Sequence, residues 1–296
     1  MNKKILILGA SGMLGHTLFF DFLINRKFDV GGTVRSLSEV RDYFPVNMLK
    51  RVIESVDALN IDTVKEVIER FRPLVVINCI GIIKQLPLSN DPLTIIPLNA
   101  LFPHQLASIC KDAECRLIHP STDCVFSGSK GQYAEDDKLS AADLYGISKY
   151  LGEVKYDHTL TIRTSIIGHE LSSKLSLIEW FLTQTESVKG FTKAIYTGFP
   201  TIEISRIIAE YILPDETLSG LYHVSSDPIS KYELLKLVSR IYKKKIEIIP
   251  FDEYTDNKSL LSHRFRDKTG YIPPSWENLV TNMYNNFRQF GYRRSY

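Results

Sequence analysis

Lys4-Ile-Leu-Ile-Leu-Gly9-Ala-Ser-Gly12-Met-Leu-Gly15 decides the fold. Lys4 to Leu8 is a short apolar run, the pattern of a parallel strand covered on both faces. Three glycines follow at G-x-x-G-x-x-G spacing, and His16 to Ile24 reads as a helix. Asp29 to Val34 reads as a second strand that ends at Arg35. Strand, glycine turn, helix and strand make a βαβ unit, in which each glycine has a mechanical use. Gly9 permits the tight turn, Gly12 lets the backbone approach a pyrophosphate, and Gly15 lets helix and strand close up. The helix N-terminus then offers free N–H groups and a positive dipole to phosphate. The expected fold is α/β, a Rossmann-type doubly wound parallel sheet that binds a dinucleotide.

Cofactor choice is set near the end of the second strand. An acidic residue there binds a ribose 2′-hydroxyl, and a basic one accommodates a 2′-phosphate. The stretch Gly31-Gly-Thr-Val-Arg35-Ser36 holds no carboxylate. Arg35 and Ser36 therefore favour NADPH, with NADH as the alternative. Asp57 is suited either to accept from an adenine amino group or to cap the helix expected over Asp62 to Arg72.

Further strands are expected at Pro73–Asn78, Cys115–His119 and Leu160–Ser165, with a helix from Asn99 to Lys111. In doubly wound sheets, ligands gather at the carboxyl ends of the strands. That places Cys79-Ile-Gly81 and Ser121-Thr-Asp123 at the ligand edge. Tyr145-Gly-Ile-Ser-Lys149 then sets a phenol and an ammonium at i and i+4, on one face of a helix. A free phenol titrates near ~10. An adjacent ammonium favours the phenolate and brings that proton into the working range. Such a pair is a weak signal alone; the glycine loop and the hydroxyl residues upstream give it meaning.

After Gly168 the texture changes. Helices are expected at Leu175–Thr185, Glu203–Ile212 and Lys231–Tyr242, with strands at Gly220–Val224 and Lys245–Ile249. The division expected is a dinucleotide-binding domain over 1–165 and a mixed α/β substrate-binding part over 166–296, the two sharing elements. The second part has no glycine fingerprint and is expected to cover the substrate.

These segments resemble the extended short-chain dehydrogenase/reductases, and within them the dTDP-4-dehydrorhamnose reductase (dTDP-L-rhamnose synthase) family. The residues that carry the resemblance are Gly9-Ala-Ser-Gly-Met-Leu-Gly15, Arg72-Pro-Leu-Val-Val-Ile-Asn78 and Ser121-Thr-Asp-Cys-Val-Phe126. To these are added Tyr145-Gly-Ile-Ser-Lys149, Arg163-Thr-Ser165 and Ser219-Gly-Leu-Tyr-His223. The resemblance implies reduction of a 4-keto-6-deoxy sugar linked to a nucleoside diphosphate, in the cytoplasm, supplying cell-surface polysaccharide. It implies Thr122, Tyr145 and Lys149 as the catalytic triad. Gly9, Ser11, Gly12, Met13, Leu14, Arg35, Asp57, Ala58, Cys79, Ile80 and Gly81 would line the cofactor, together with Tyr145 and Lys149. Ser121, Thr122, Asp123 and Ile166 would face the sugar. Tyr145 would give its proton to the forming alkoxide, with Thr122 or Ser121 bonded to the same oxygen. Departures cluster near the sugar: Cys124 replaces the family's tyrosine, and Ile166 stands where an aromatic residue is common. An epimerase or dehydratase with tightly bound NAD, and a non-catalytic nucleotide-binding subunit, are the alternative readings.

Composition fits this picture. The chain has 296 residues, 44% hydrophobic and 24% charged, with a formal net charge of +2. That balance gives no reason to expect nucleic acid or an anionic membrane as a partner. No apolar run of spanning length is read, and the N-terminal apolar stretch is read as a strand, not a signal peptide. A homodimer is the expected assembly. The four cysteines lack zinc or Cys-x-x-Cys spacing, so reduced thiols and no metal are expected. Arg264 and Arg266 fit either a pyrophosphate or solvent, and Trp180 and Trp276 read as packing residues.

Overall fold

The computed structural model describes residues 3–290. Its strands are β1 (Lys4–Leu8), β2 (Asp29–Thr33), β3 (Val52–Ile53), β4 (Val75–Asn78), β5 (Arg116–Thr122) and β6 (Thr159–Thr164). They continue with β7 (Ile166–Ile167), β8 (Val188–Tyr196), β9 (Phe199–Pro200), β10 (Gly220–His223), β11 (Ile229–Ser230) and β12 (Ile248–Asn257). Seven strands form one sheet in the order β10-β6-β5-β4-β1-β2-β3. β1 pairs in parallel with both β2 and β4, β2 with β3, and β4 with β5. The strand order reverses at β1, so the crevice between the carboxyl ends of β1 and β4 is the topological switch point where ligands bind in such sheets.

The chain divides into two units. The first takes the described residues up to Ser121, then Asp143–Ile162 and Ser205–Leu221. The second takes Thr122–Ala142, Arg163–Ile204 and the described residues from Tyr222 onward. In the first, Leu6, Leu8 and Val76 of the sheet pack against Val64 and Ile68 of the helix Ile61–Phe71 and Phe102 and Leu106 of the helix Phe102–Asp112. These strand residues are fully buried, as continuous apolar runs in a covered parallel sheet must be. In the second, Phe181, Val188, Leu234, Val280 and Met283 share a core around the sheet β11-β8-β12.

The structure corrects several sequence expectations. The strand expected at Lys245–Ile249 begins at Ile248 and runs to Asn257, parallel to β8. Its Asp252, Glu253 and Tyr254 are exposed, so no apolar alternation announces it. β8 and the helix Trp276–Phe290 lie outside the expected elements altogether. The helix expected at Asn99–Lys111 is part of a helical stretch from Pro92 to Asp112, interrupted by a widened π-type turn at Ile96–Leu101. Pro97 sits in that turn, where the missing N–H is tolerated. By length and composition alone this 21-residue stretch is apolar enough to cross a membrane, which corrects the reading that no such segment exists. The same test is passed by core helices, and Phe102, Leu106 and Cys110 are buried against the sheet of the first unit.

Candidate active site

The glycine loop follows β1. Gly9 has φ of +82°, a left-handed conformation that a side chain disfavours. Its N–H donates to Thr33 Oγ1 at 3.2 Å, and Ala10 N–H donates to Thr33 O at 2.8 Å. The loop is thereby fixed to the end of β2. A Cβ on Gly9 would lie 2.9 Å from Ile80 and 3.2 Å from the Cys79 backbone, so the loops after β1 and β4 touch. A Cβ on Gly15 would lie 2.1 Å from Gly9 O, which forces glycine there.

Gly12 differs. The nearest atom to a Cβ there would be 3.5 Å away, an ordinary contact. Nothing inside the protein requires glycine at this position, whereas a ligand approaching the backbone would. Gly12 is also the N-cap of the helix Met13–Ile24, without a side-chain cap and with no acidic residue in the first turn. The N–H groups of Met13 and Leu14 in that first turn are oriented as in any phosphate-binding helix terminus. The cradle therefore fits a dinucleotide.

At the end of β2, Arg35 Nε lies 3.4 Å from Glu39, and Ser11 Oγ donates to the other Glu39 oxygen at 2.9 Å. The sequence reading saw no carboxylate in this region; the short helical turn Leu37–Glu39, capped by Ser36, supplies one. Ser55 and Val56 donate to Arg35 O and Val34 O, so Asp57 and Ala58 follow directly on a segment beside Arg35. Asp57 accepts from Leu59 N–H at 3.0 Å in a local turn, and the helix that follows is capped at Asn60, not at Asp57.

After β4, Asn78 Oδ1 accepts from Ile80 N–H at 3.0 Å. Asn99, in the π-type turn, clamps this loop: its amide exchanges hydrogen bonds with the Ile82 backbone at 2.8 and 3.0 Å, and reaches Ser148 Oγ at 3.4 Å. Asn99 thus ties the cofactor-side loop to the helix Leu144–Leu151, which carries Tyr145 and Lys149. That helix is capped by Asp143, whose carboxylate accepts from Gly146 N–H at 2.8 Å and pairs with Lys84 at 2.6 Å. Lys149 is buried, and Nζ donates to Pro120 O at 2.9 Å. Burial lowers its pKa from 10.5 to about 8. Cys79 lies near enough for Lys149 to act on its thiol, but burial dominates and pushes the thiol up to about 12. Ser121 turns inward and donates to Glu153 at 2.9 Å. A surface cavity of about 820 Å³ lies at the opposite rim, among Lys3, Val75, Cys115 and Arg116; it is remote from these groups.

The second unit holds the remaining candidates. Thr122 Oγ1 accepts from Cys124 N–H at 3.1 Å and donates to Asp123 at 3.2 Å, which fixes the hydroxyl at the start of a short turn. Burial raises the pKa of Asp123, opposed mainly by the Lys258 ammonium. Lys258 itself pairs with Asp256. Tyr196 is buried within reach of the Asp123 charge and of Ser165, and burial pushes its phenol well above the usual range. Ile166 is half-buried in β7, paired with Phe199. Arg266 is tied to Ser262 and to the Ser225 backbone, each at 3.0 Å, while Arg264 lies over the Tyr222 ring. Trp276 donates to Asp227 O at 2.7 Å and leans on Tyr196. Glu39, Asn99, Glu153, Tyr196 and Lys258 escaped the sequence reading. None lies in a recognisable motif, apart from Glu153, which follows the Tyr145–Lys149 segment at helical spacing.

The model of the RmlD substrate binding domain family matches residues 3–289. A dTDP-4-keto-6-deoxy-D-glucose reductase from Streptomyces niveus is 30% identical over 301 residues, covering 95% of this chain and 96% of that protein. Methionine adenosyltransferase 2 subunit beta from Danio rerio is 27% identical over 266 residues, covering 85% of this chain and 78% of that protein. Among solved structures, dTDP-4-dehydrorhamnose reductase from Bacillus anthracis in complex with NADP superposes with a TM-score of 0.77 at 22% identity, over 96% of this chain and 99% of that one. That likeness shows a shared fold, and it agrees with the sheet order above. With a family match over nearly its whole length, the chain belongs to the RmlD substrate binding domain family.

Proposed function

We propose that the protein is an NADPH-dependent reductase of a nucleoside-diphosphate-linked 4-keto-6-deoxy sugar, with Tyr145 as proton donor. The observation that carries this reading is the buried Lys149, one helical turn from Tyr145, on a helix that Asn99 ties to the cofactor-side loop. When bound, the dihydronicotinamide supplies a hydride to the ketone carbon. The protein's part is to hold and polarise. Lys149 presents a cation beside the phenol, which favours proton release from Tyr145. The Thr122 hydroxyl, oriented by Asp123 and the Cys124 N–H, is suited to bond the oxygen that gains charge. Arg35 would hold a 2′-phosphate, in competition with the Glu39 carboxylate beside it. Asp57 would accept from the adenine, and Ser121 would act on the sugar side only indirectly, since its hydroxyl bonds Glu153. The reaction would run in the cytoplasm and feed cell-surface polysaccharide.

The test is NADPH consumption with dTDP-4-keto-6-deoxy sugars and their analogues on other nucleotide bases. Cofactor binding without turnover on any of them overturns the reading.

The likeness to methionine adenosyltransferase 2 subunit beta favours a second reading, a subunit that keeps the fold for binding. Tyr145→Phe separates the two. A reductase loses most of its rate, whereas a binding subunit keeps its function.

A further inference from the structure

Two oppositely charged side chains are buried against adjacent residues of β5: Lys149 Nζ donates to Pro120 O and Glu153 accepts from Ser121 Oγ, each at 2.9 Å. Lys149 is 8% exposed and Glu153 is 7% exposed. The helix that carries Lys149 ends at Leu151, and Gly152 follows. A Cβ on Gly152 would lie 2.0 Å from Asn99 O, so only glycine lets the chain pass there and bring Glu153 inward. Ser121 Oγ then donates to Glu153 Oε1 at 2.9 Å, a fully buried bond. A carboxylate withdrawn from water is costly unless it is hydrogen-bonded and faces a cation. Ser121 supplies the bond, and Lys149 is the cation.

We propose that Glu153 is a positioning residue: the buried counter-ion that keeps the Lys149 ammonium charged and aimed, with Ser121 clamping its carboxylate. The inference rests on the reading of Lys149 as the group that serves Tyr145 and the cofactor. The surroundings of Lys149 single out Glu153. Cys79, from the loop after β4, is held neutral by burial. His119, on β5, is held neutral by burial and by Lys149 itself. Tyr145 lies one turn earlier on the same helix. Burial drives the Lys149 pKa down, and Glu153 is the strongest influence raising it again. Without Glu153 the ammonium would lose its proton closer to neutrality, and with it the donor that a ribose hydroxyl and the phenol both need.

The experiment uses Glu153→Gln, Glu153→Asp and Ser121→Ala in the full chain. NADPH binding is followed by cofactor fluorescence across the neutral and alkaline range, beside kcat and KM. The alkaline loss of binding in Glu153→Gln should move to lower pH by about one unit or more. Glu153→Asp should restore most of the shift, and Ser121→Ala should move it the same way by less. A folded Glu153→Gln with the wild-type alkaline limb overturns the proposal. If Glu153→Gln does not fold, an unshifted limb in Ser121→Ala overturns it instead. The Lys149 titration is also read without cofactor, from 13C-labelled lysine by NMR. A wild-type protein that neither binds NADPH nor turns over defeats the functional reading. The NMR titration still decides whether Glu153 governs Lys149.

Discussion

The Arg163 guanidinium donates to Nε2 of His223 at 3.2 Å, with both side chains buried in the second unit. Nδ1–H of the same imidazole donates to Tyr133 O at 3.1 Å. Arg163 also lies 5.4 Å from the centroid of the Phe126 ring, which stacks on Tyr133. Three of the segments that carry the family resemblance, ending in Phe126, beginning at Arg163 and ending in His223, therefore meet in one packed knot. Their shared role is structural: each satisfies or covers a buried cation that would otherwise be expensive.

This knot should make the protein acid-labile. Burial, and then Arg163, push the His223 pKa from 6.5 down to about 3. The unfolded chain takes up that proton near 6.5 and the folded chain only near 3, so the unfolded state holds more protons in between. Stability from this group is complete above about 6.5 and is lost as pH falls toward 3, with a ceiling of roughly 5 kcal/mol. His223→Gln should lower Tm at neutral pH and flatten its decline over that acid window. Thermal denaturation of both proteins at a series of pH values checks this; parallel declines would remove His223 as the cause.

Gly12 and Gly15 should respond oppositely to alanine. Gly15→Ala sets a Cβ 2.1 Å from Gly9 O, and overpacking of this kind costs about 1–3 kcal/mol. Gly12→Ala meets only ordinary contacts and should keep the wild-type Tm. It should nevertheless weaken NADPH binding by about tenfold or more, since the methyl takes the space of an approaching phosphate. Melting curves and fluorescence titration separate the two effects. A Gly12→Ala protein that binds NADPH normally removes the phosphate role.

Tyr145→Phe should lower kcat by about a hundredfold or more, the usual scale of general acid catalysis, and leave NADPH affinity within a few-fold. Steady-state kinetics with a 4-keto-6-deoxy nucleotide sugar provides the measurement. Near-normal turnover would assign the proton to another group.

Arg35→Ser should reduce the preference for NADPH over NADH by about tenfold, through loss of a charge-assisted bond to the 2′-phosphate. Glu39→Gln should move it the other way, because Glu39 holds both Arg35 and Ser11 and opposes an incoming phosphate. Ratios of kcat/KM for the two cofactors decide; an unchanged ratio in Arg35→Ser means that 2′-phosphate selection lies elsewhere.

The chain's own order of residues determined the first half of the fold. Lys4–Leu8, Gly9–Gly15 and Val75–Asn78 are legible because a doubly covered strand must be apolar throughout and a phosphate turn must be glycine-rich. The i, i+4 spacing of Tyr145 and Lys149 likewise survives in any helix. Tertiary structure decided what local pattern does not encode. Glu39 reaches Arg35 only because Ser36 starts a helical turn. Asn99 is invisible as a clamp until a π-type turn aims it at Ile82 and Ser148. β12 is polar and exposed over much of its length, and its strand character comes from pairing with β8. Sequence places Ser121 at the ligand edge, and only the fold brings its hydroxyl onto Glu153. Covalent neighbours fix periodicity and turn chemistry, whereas the partner of a buried charge is chosen by whichever distant segment the fold packs against it.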